Sequence, residues 1–280
     1  MTHRELLLYW STVGFQVLLC ALVYFRNLRR RLPFFALHVI VLLIGTLGVQ
    51  LVYRHFGFRS VASFNAYRIA AGLIVIARSF AVAELCRYEL RAYRGIWALT
   101  WRFLALLALF FLGRAAFDAW GQVGGIAIYG LTIERDFGIS SIVILLAMLS
   151  IRNYYGLTLP RLEKSIAVGL CVVWFIDILN NTMLRYAFTE YLSFWFFPKY
   201  ATLWPGIRSQ VESANDLWNT IRTSGLIVSI SIWCYALREP LPAPAKPPVL
   251  LPAEVYRELS PAVNLRLRAF NDKLLEMLKS

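Results

Sequence analysis

Hydrophobic residues in this chain form long, nearly uninterrupted runs, separated by segments that contain most of the charged residues and prolines. A run of about 20 apolar residues matches a helix that crosses the hydrocarbon core of a membrane. The runs predict seven such spans, at about residues 6–25, 33–53, 62–86, 96–119, 137–157, 165–188 and 216–237. Strands of a membrane barrel would alternate between apolar and polar residues. We therefore expect an all-α polytopic membrane protein, a seven-transmembrane-helix bundle within residues 1–238.

The composition agrees with a membrane protein. Of the 280 residues, 59% are hydrophobic and 16% are charged, whereas soluble domains contain about 25% charged residues. The formal net charge of +13 does not indicate nucleic-acid binding, because the basic residues collect in loops where they face anionic lipid. The lipid bilayer is thus the expected partner, and nucleic acid is not.

Basic residues are distributed unevenly between alternate loops. The loops after the first, third and fifth spans contain Arg26, Arg29, Arg30, Arg31, Arg87, Arg91, Arg94, Arg152, Arg161 and Lys164, and the other loops contain about half as many. Loops rich in arginine and lysine stay on the cytoplasmic side of a membrane. The N-terminus is therefore predicted to be outside and the C-terminus cytoplasmic, in an integral protein of the bacterial inner (cytoplasmic) membrane.

The segment after the last span changes character abruptly. Residues 239–252 form a proline-rich linker, a composition that favours an extended spacer. Residues 253–280 are predicted to form a cytoplasmic amphipathic helix, with apolar residues every three or four positions. Such a helix is suited to the membrane surface, to the underside of the bundle or to a protein partner, and the sequence leaves these three open.

Two pairs of similar segments suggest an internal repeat. "FRNLRRRLP" from Phe25 corresponds to "IRNYYGLTLP" from Ile151, and "FNAYRIAAGLIVIA" from Phe64 corresponds to "WNTIRTSGLIVSIS" from Trp218. The matches occur in the same order and orientation. They predict a parallel 3+1+3 repeat with the fourth span as linker, a plan found among secondary transporters. Chance agreement between apolar segments is the alternative.

Polar residues interrupt the predicted sixth span at its middle. In "WFIDILNNTMLR", Asn180 and Asn181 follow Asp177 by three and four positions, so the three side chains share one helix face. A charged residue inside a bilayer is costly and is a functional hypothesis by default.

Further polar residues occur in the third and seventh spans, and together they predict a polar cavity that opens to the outside. The candidate ligand-binding residues are Asp177, Asn180, Asn181, Arg68, Arg222, Asn65, Asn219 and Arg78. Arginine binds carboxylates and phosphates through paired hydrogen bonds, so the expected ligand is a small anionic or polyhydroxyl molecule. The alternative is that these groups form ion pairs and hydrogen bonds that fix the helix packing.

The sequence contains no motif of a known enzyme class. HExxH, GxSxG, P-loop and GxGxxG patterns are missing, and the three histidines lack metal-ligand spacing. We predict no catalytic residue, metal site or cofactor. The expected function is non-enzymatic and receptor- or sensor-like, with the C-terminal helix contacting a protein partner. A small-solute transporter built on the repeat and a structural subunit of a larger membrane complex are the alternatives.

Overall fold

The computed structural model describes residues 3–57, 60–90, 94–120, 125–154, 160–196 and 205–238, with isolated positions after residue 268. Every regular element in these ranges is a helix. The helices are α1 (His3–Phe25), α2 (Leu28–Arg31), α3 (Pro33–Phe56), α4 (Val61–Leu90), α5 (Arg94–Ala119), α6 (Gly125–Tyr154), α7 (Arg161–Phe196) and α8 (Pro205–Leu237).

Five helices in the described part of the chain are long and apolar enough to cross a membrane. They are Leu6–Phe25, Pro33–Phe56, Ala62–Leu90, Trp97–Asp118 and Asn219–Leu237, at the predicted first, second, third, fourth and seventh spans. The all-helical prediction is therefore confirmed for the described residues, and five of the predicted spans are helices long and apolar enough to cross a membrane. Helices α6 and α7 lie at the predicted fifth and sixth spans and are 30 and 36 residues long, but charged and amide residues interrupt their apolar runs.

Helix α6 begins well before the predicted fifth span. The hydropathy pattern places the start at residue 137, whereas the helix begins at Gly125. Charged residues lower hydropathy without disfavouring a helix, and no proline interrupts this segment. The extension makes "TIERDF" helical and buries the side chains of Glu134 and Asp136.

The arginine-rich end of the bundle is where α1 passes through α2 into α3. Asn27 starts this connection in the left-handed conformation, with φ of 52°, which asparagine tolerates better than most residues. Arg31 then reaches across the bundle, because its Nη2 lies 2.5 Å from Glu163 of α7 and 2.8 Å from the hydroxyl of Tyr88 of α4. Arg26 donates to the carbonyl of Arg238, 2.6 Å away. These contacts join one end of α1, α4, α7 and α8.

An apolar core fills the arginine-rich half of the bundle. Helix α3 packs along α4, α7 packs between α6 and α8, and α1 contacts both α3 and α8. Phe35 and Trp233 meet edge to face in this core, with ring centroids 5.2 Å apart. Trp233 also occupies the space that a side chain at Gly169 would fill, and its indole donates to the Ile166 carbonyl at 3.3 Å. Glycine at 169 therefore permits close packing of α7 and α8.

The predictions for the C-terminal segment lie almost entirely outside the described residues. Neither the proline-rich linker at 239–252 nor the amphipathic helix at 253–280 is described beyond five positions, at 269, 272–273 and 276–277. The linker and the membrane-surface or partner-binding helix stay predictions.

Candidate functional site

Asp177 of α7 binds two arginines on two different helices. Its Oδ2 lies 2.5 Å from Nη1 of Arg78 on α4, and its Oδ1 lies 3.1 Å from Nε of Arg222 on α8. The side chains of Asp177 and Arg78 are each only 3% exposed. The structure thus brings together three of the predicted site residues, and each oxygen of the carboxylate accepts a hydrogen bond from one arginine.

Arg222 extends this contact to a second carboxylate and to a hydroxyl. Its Nη2 lies 3.3 Å from Oε1 of Glu134 on α6, and its Nη1 donates to the hydroxyl of Tyr67 on α4. Arg78, Asp177, Arg222, Glu134 and Tyr67 are called the central cluster below. Two guanidinium groups face two carboxylates in it, so its formal charges balance, and it links α4, α6, α7 and α8.

A tryptophan one turn before Asp177 supports Arg78. The guanidinium carbon of Arg78 lies 4.6 Å from the ring centroid of Trp174, which is fully buried. Arginine is planar and more weakly hydrated than lysine, so it tolerates burial against an aromatic face. Gly138 of α6 makes room for the ring, because a Cβ at this position would lie 2.8 Å from Cε3 of Trp174.

Burial determines what the central cluster contributes. Two charges removed from water regain most of the desolvation cost through mutual attraction and hydrogen bonds, so a buried pair adds little net stability. Loss of one partner is costly, since it leaves the other charge buried and uncompensated. Asp177, Arg78 and Arg222 therefore form buried ion pairs between helices, the kind of contact that the interhelical-pairing alternative describes.

Arg68 differs from the other arginines at this site. It is half-buried on α4 and close enough to Glu134 and Arg222 to interact electrostatically with both. Among the described residues it forms no salt bridge within 4 Å, and its buried Nε has no hydrogen-bond partner. Its guanidinium lies 5.2 Å from the ring of Phe64. One positive charge thus stands in excess beside a balanced cluster.

Gly130 of α6 leaves space for this guanidinium. A Cβ at Gly130 would lie 3.1 Å from Nη1 of Arg68. This distance is closer than an ordinary van der Waals contact, so a larger residue would displace the arginine. Helix α6 therefore contributes a small residue beside Arg68 and a carboxylate, Glu134, one turn further along.

The four predicted asparagines divide between the interior and the surface. Asn180 and Asn181 are buried on α7. Asn181 lies near Glu134, and its amide nitrogen has no hydrogen-bond partner in the described part of the chain. Asn65 and Asn219 are exposed on α4 and α8. The exposed pair lies outside the central cluster.

A second ion-pair group lies beside the central cluster, between α5 and α6. Asp136 is buried, 3.1 Å from Nη2 of Arg135 and 3.5 Å from Nη1 of Arg114 on α5. This group joins α5 to α6, which is the helix that carries Glu134. In the part of the chain that the structure describes, no group of three or more histidine, cysteine or acidic residues is arranged to hold a metal.

Glu134 and Tyr67 were not predicted from the sequence as members of the site. Glu134 precedes the predicted fifth span, and the charged triplet Glu134–Asp136 was the available signal that α6 carries polar residues into the bundle. Tyr67 directly precedes Arg68, but tyrosine is common at membrane interfaces, so its type alone did not indicate a contact with Arg222. His38 was also missed as a buried group, and neither of its ring nitrogens has a partner among the described residues.

Family models, curated proteins and solved structures were compared with this chain, and none of the three comparisons gives a match. The function is therefore inferred from the geometry of the site.

Proposed function

We propose that this chain is a non-enzymatic, receptor-like integral membrane protein that binds a small anionic ligand at Arg68. The observation that carries the proposal is the excess charge, because Arg68 has no salt bridge among the described residues while its neighbours balance one another. A guanidinium without a partner is a strong site for carboxylate or phosphate oxygens. The surplus positive charge favours an anion over a neutral polyhydroxyl ligand.

Arg222 is the second ligand-binding residue in this proposal. Its side chain is 26% exposed, compared with 3% for Arg78, and it lies close enough to Arg68 to interact with it electrostatically. Asp177 and Glu134 orient Arg222 through its Nε and Nη2. Asp177 thus positions an arginine and does not contact the ligand.

We also infer that α6 and α7 cross the membrane, which completes seven spans with the N-terminus outside. Their lengths of 30 and 36 residues correspond to about 45 Å or more at about 1.5 Å per residue, which exceeds the hydrocarbon thickness of about 30 Å. The arginine-rich end is then cytoplasmic by the distribution of basic residues. Arg68 and Arg222 would face the outside of a bacterial inner membrane.

A small-solute transporter is the second candidate, and the helix contacts favour it. Under the 3+1+3 repeat, α1, α3 and α4 correspond to α6, α7 and α8. The contacts α1–α3, α3–α4 and α1–α8 then correspond to α6–α7, α7–α8 and α6–α4, and all six pairs are in contact. Arg68 and Arg222 are equivalent positions in this scheme. Uptake of a bound anion into proteoliposomes would distinguish transport from binding alone.

Thermal unfolding of the purified protein in detergent tests the proposed ligand class. We expect inorganic phosphate or succinate to raise the unfolding midpoint saturably, and glucose, a neutral polyhydroxyl probe, to leave it unchanged. Arg68→Gln should abolish the response. Arg54→Gln is the matched control, because Arg54 is an exposed arginine in the last turn of α3. An Arg68→Gln protein that responds to anions as the wild type does would exclude the proposal.

A further inference from the structure

A separate cavity opens at the arginine-rich end, away from the central cluster. It has a volume of about 350 Å³ and lies where α3 begins, α4 ends and α5 begins. Small-molecule sites commonly have volumes of about 300–1,000 Å³. The residues that matter for its chemistry are Phe34, Phe80, Glu84, Arg87, Trp97 and Trp101.

Two aromatic pairs form the walls of this cavity. Phe34 of α3 stacks on Phe80 of α4, with ring centroids 5.4 Å apart and an interplanar angle of 22°. Trp97 and Trp101, one turn apart on α5, have centroids 6.1 Å apart. Phe34, Phe80 and Trp101 are exposed, so the cavity is open at the surface of the bundle. Aromatic faces attract cations, and tryptophan does so most strongly.

A half-buried carboxylate, that of Glu84, lies among these rings. Its Oε1 accepts the backbone N–H of Phe34 at 3.1 Å, and its Oε2 accepts that of Phe35 at 2.9 Å. Each oxygen can accept a further hydrogen bond. The N-terminus of α3 also favours a negative charge at this position. Glu84 is therefore a fixed anionic group with unused acceptor capacity, and it forms no salt bridge with another described residue.

Arg87 provides the opposite charge at the mouth of the cavity. It follows Glu84 by three positions on α4, is exposed, and forms no salt bridge within the described ranges. The cavity therefore combines a carboxylate between aromatic rings with a guanidinium nearer the solvent. This arrangement is complementary to a ligand with a cationic tip next to an anionic group.

We propose that this cavity binds the headgroup of phosphatidylethanolamine from the adjoining leaflet. The primary ammonium would donate hydrogen bonds to Glu84 while the aromatic rings surround it, and the phosphate would bind Arg87. The acyl chains would follow the apolar surface next to Phe80 and Trp101. A quaternary choline ammonium has no N–H to donate to Glu84, and a phosphatidylglycerol headgroup has no cation to place there.

The test uses the full-length protein in a neutral detergent, with dioleoyl lipids added at equal mole fraction. Phosphatidylethanolamine should raise the unfolding midpoint by about 2–4 °C more than phosphatidylcholine or phosphatidylglycerol. In Glu84→Gln, the difference between the ethanolamine and choline lipids should disappear. Because the lipids are compared within one variant, any general destabilisation cancels. Phe103→Leu, an exposed aromatic residue of α5 outside the cavity, should respond as the wild type does.

Three outcomes would overturn the proposal. Equal stabilisation by the choline or glycerol lipid would show that the protein does not distinguish the ethanolamine headgroup from the others. Persistence of the ethanolamine preference in Glu84→Gln would show that the carboxylate of Glu84 is not responsible for this preference. Loss of the α3 contact can prevent Glu84→Gln from folding, so Trp101→Leu is the second variant, because it leaves the Glu84 hydrogen bonds intact. An unchanged ethanolamine response in Trp101→Leu would also exclude the site.

Discussion

Arg222 of α8 lies 3.1 Å from Asp177 of α7, with its Nε directed at Oδ1 of the carboxylate. Because Arg78 occupies the other oxygen, Asp177 cannot be removed without leaving positive charge in the interior. The same geometry separates the arginines into two classes: those held by the central cluster, and Arg68 beside it.

Asp177→Asn should destabilise the protein strongly. The substitution leaves Arg78, 3% exposed, without its charged partner, and breaking a buried ion pair in this way costs about 3–5 kcal/mol. The free energy of unfolding, measured by SDS titration in mixed micelles, is the appropriate quantity. Asp118→Asn is the control, since Asp118 is half-buried on α5 and has no salt bridge with a described residue. Equal stability of the two variants would mean that the cluster does not hold the helices together.

Replacing both partners with apolar residues should recover part of that loss. In the double variant Arg78→Met, Asp177→Leu no charge remains without its partner, because Arg222 keeps its contacts with Glu134 and Tyr67. We expect the double variant to be more stable than Asp177→Leu alone, with a coupling energy of about 0.5–3 kcal/mol. Simple additivity of the two single substitutions would contradict the direct pairing of Arg78 and Asp177.

Removing charge at Arg68 should have a much smaller effect on stability than removing it at Arg78. Arg68 has no salt bridge among the described residues, and its charge adds to a cluster that is already balanced. Arg68→Gln should therefore change the free energy of unfolding by no more than about 1 kcal/mol, whereas Arg78→Gln should cost about 3–5 kcal/mol. Comparable losses in the two variants would place Arg68 among the structural arginines.

Gly138→Ala should disturb the packing of Trp174, the ring that lies against the guanidinium of Arg78. The new Cβ would lie 2.8 Å from Trp174 and 3.0 Å from Ile178, and overpacking of a core costs about 1–3 kcal/mol. Gly113→Ala is the control, since a Cβ there meets nothing within 4 Å and alanine favours the helix by up to about 1 kcal/mol. We expect Gly138→Ala to lower the free energy of unfolding and Gly113→Ala to raise it. A stabilised Gly138→Ala protein would exclude close packing of α6 against Trp174.

The polar residues within the predicted spans could be identified from the sequence more readily than their ion-pair partners. Asp177 stood out because a carboxylate in a long apolar run is costly and needs a partner. Arg78 and Arg222 were available candidates, because opposite charges at similar depth attract. Glu134 was not, because its charged neighbours delayed the start of the predicted span to residue 137, whereas the helix begins at Gly125. Asn65 was grouped with Arg68 by its spacing, yet it is exposed, since rotation and tilt of a helix in the bundle decide which part of a face is covered.

The sequence by itself determined that the chain is helical, with several runs long and apolar enough to span a membrane, and that Asp177 lies within a long, mostly apolar segment. These properties depend on local hydrophobicity and on the backbone's need for internal hydrogen bonds in lipid. They can therefore be predicted from each segment of the sequence alone. Only the tertiary structure decided that Arg222 joins Asp177 to Glu134, and that Arg68 has no salt bridge with any residue that the structure describes. Pairing depends on distances of a few ångströms between helices far apart in the chain, and packing sets those distances.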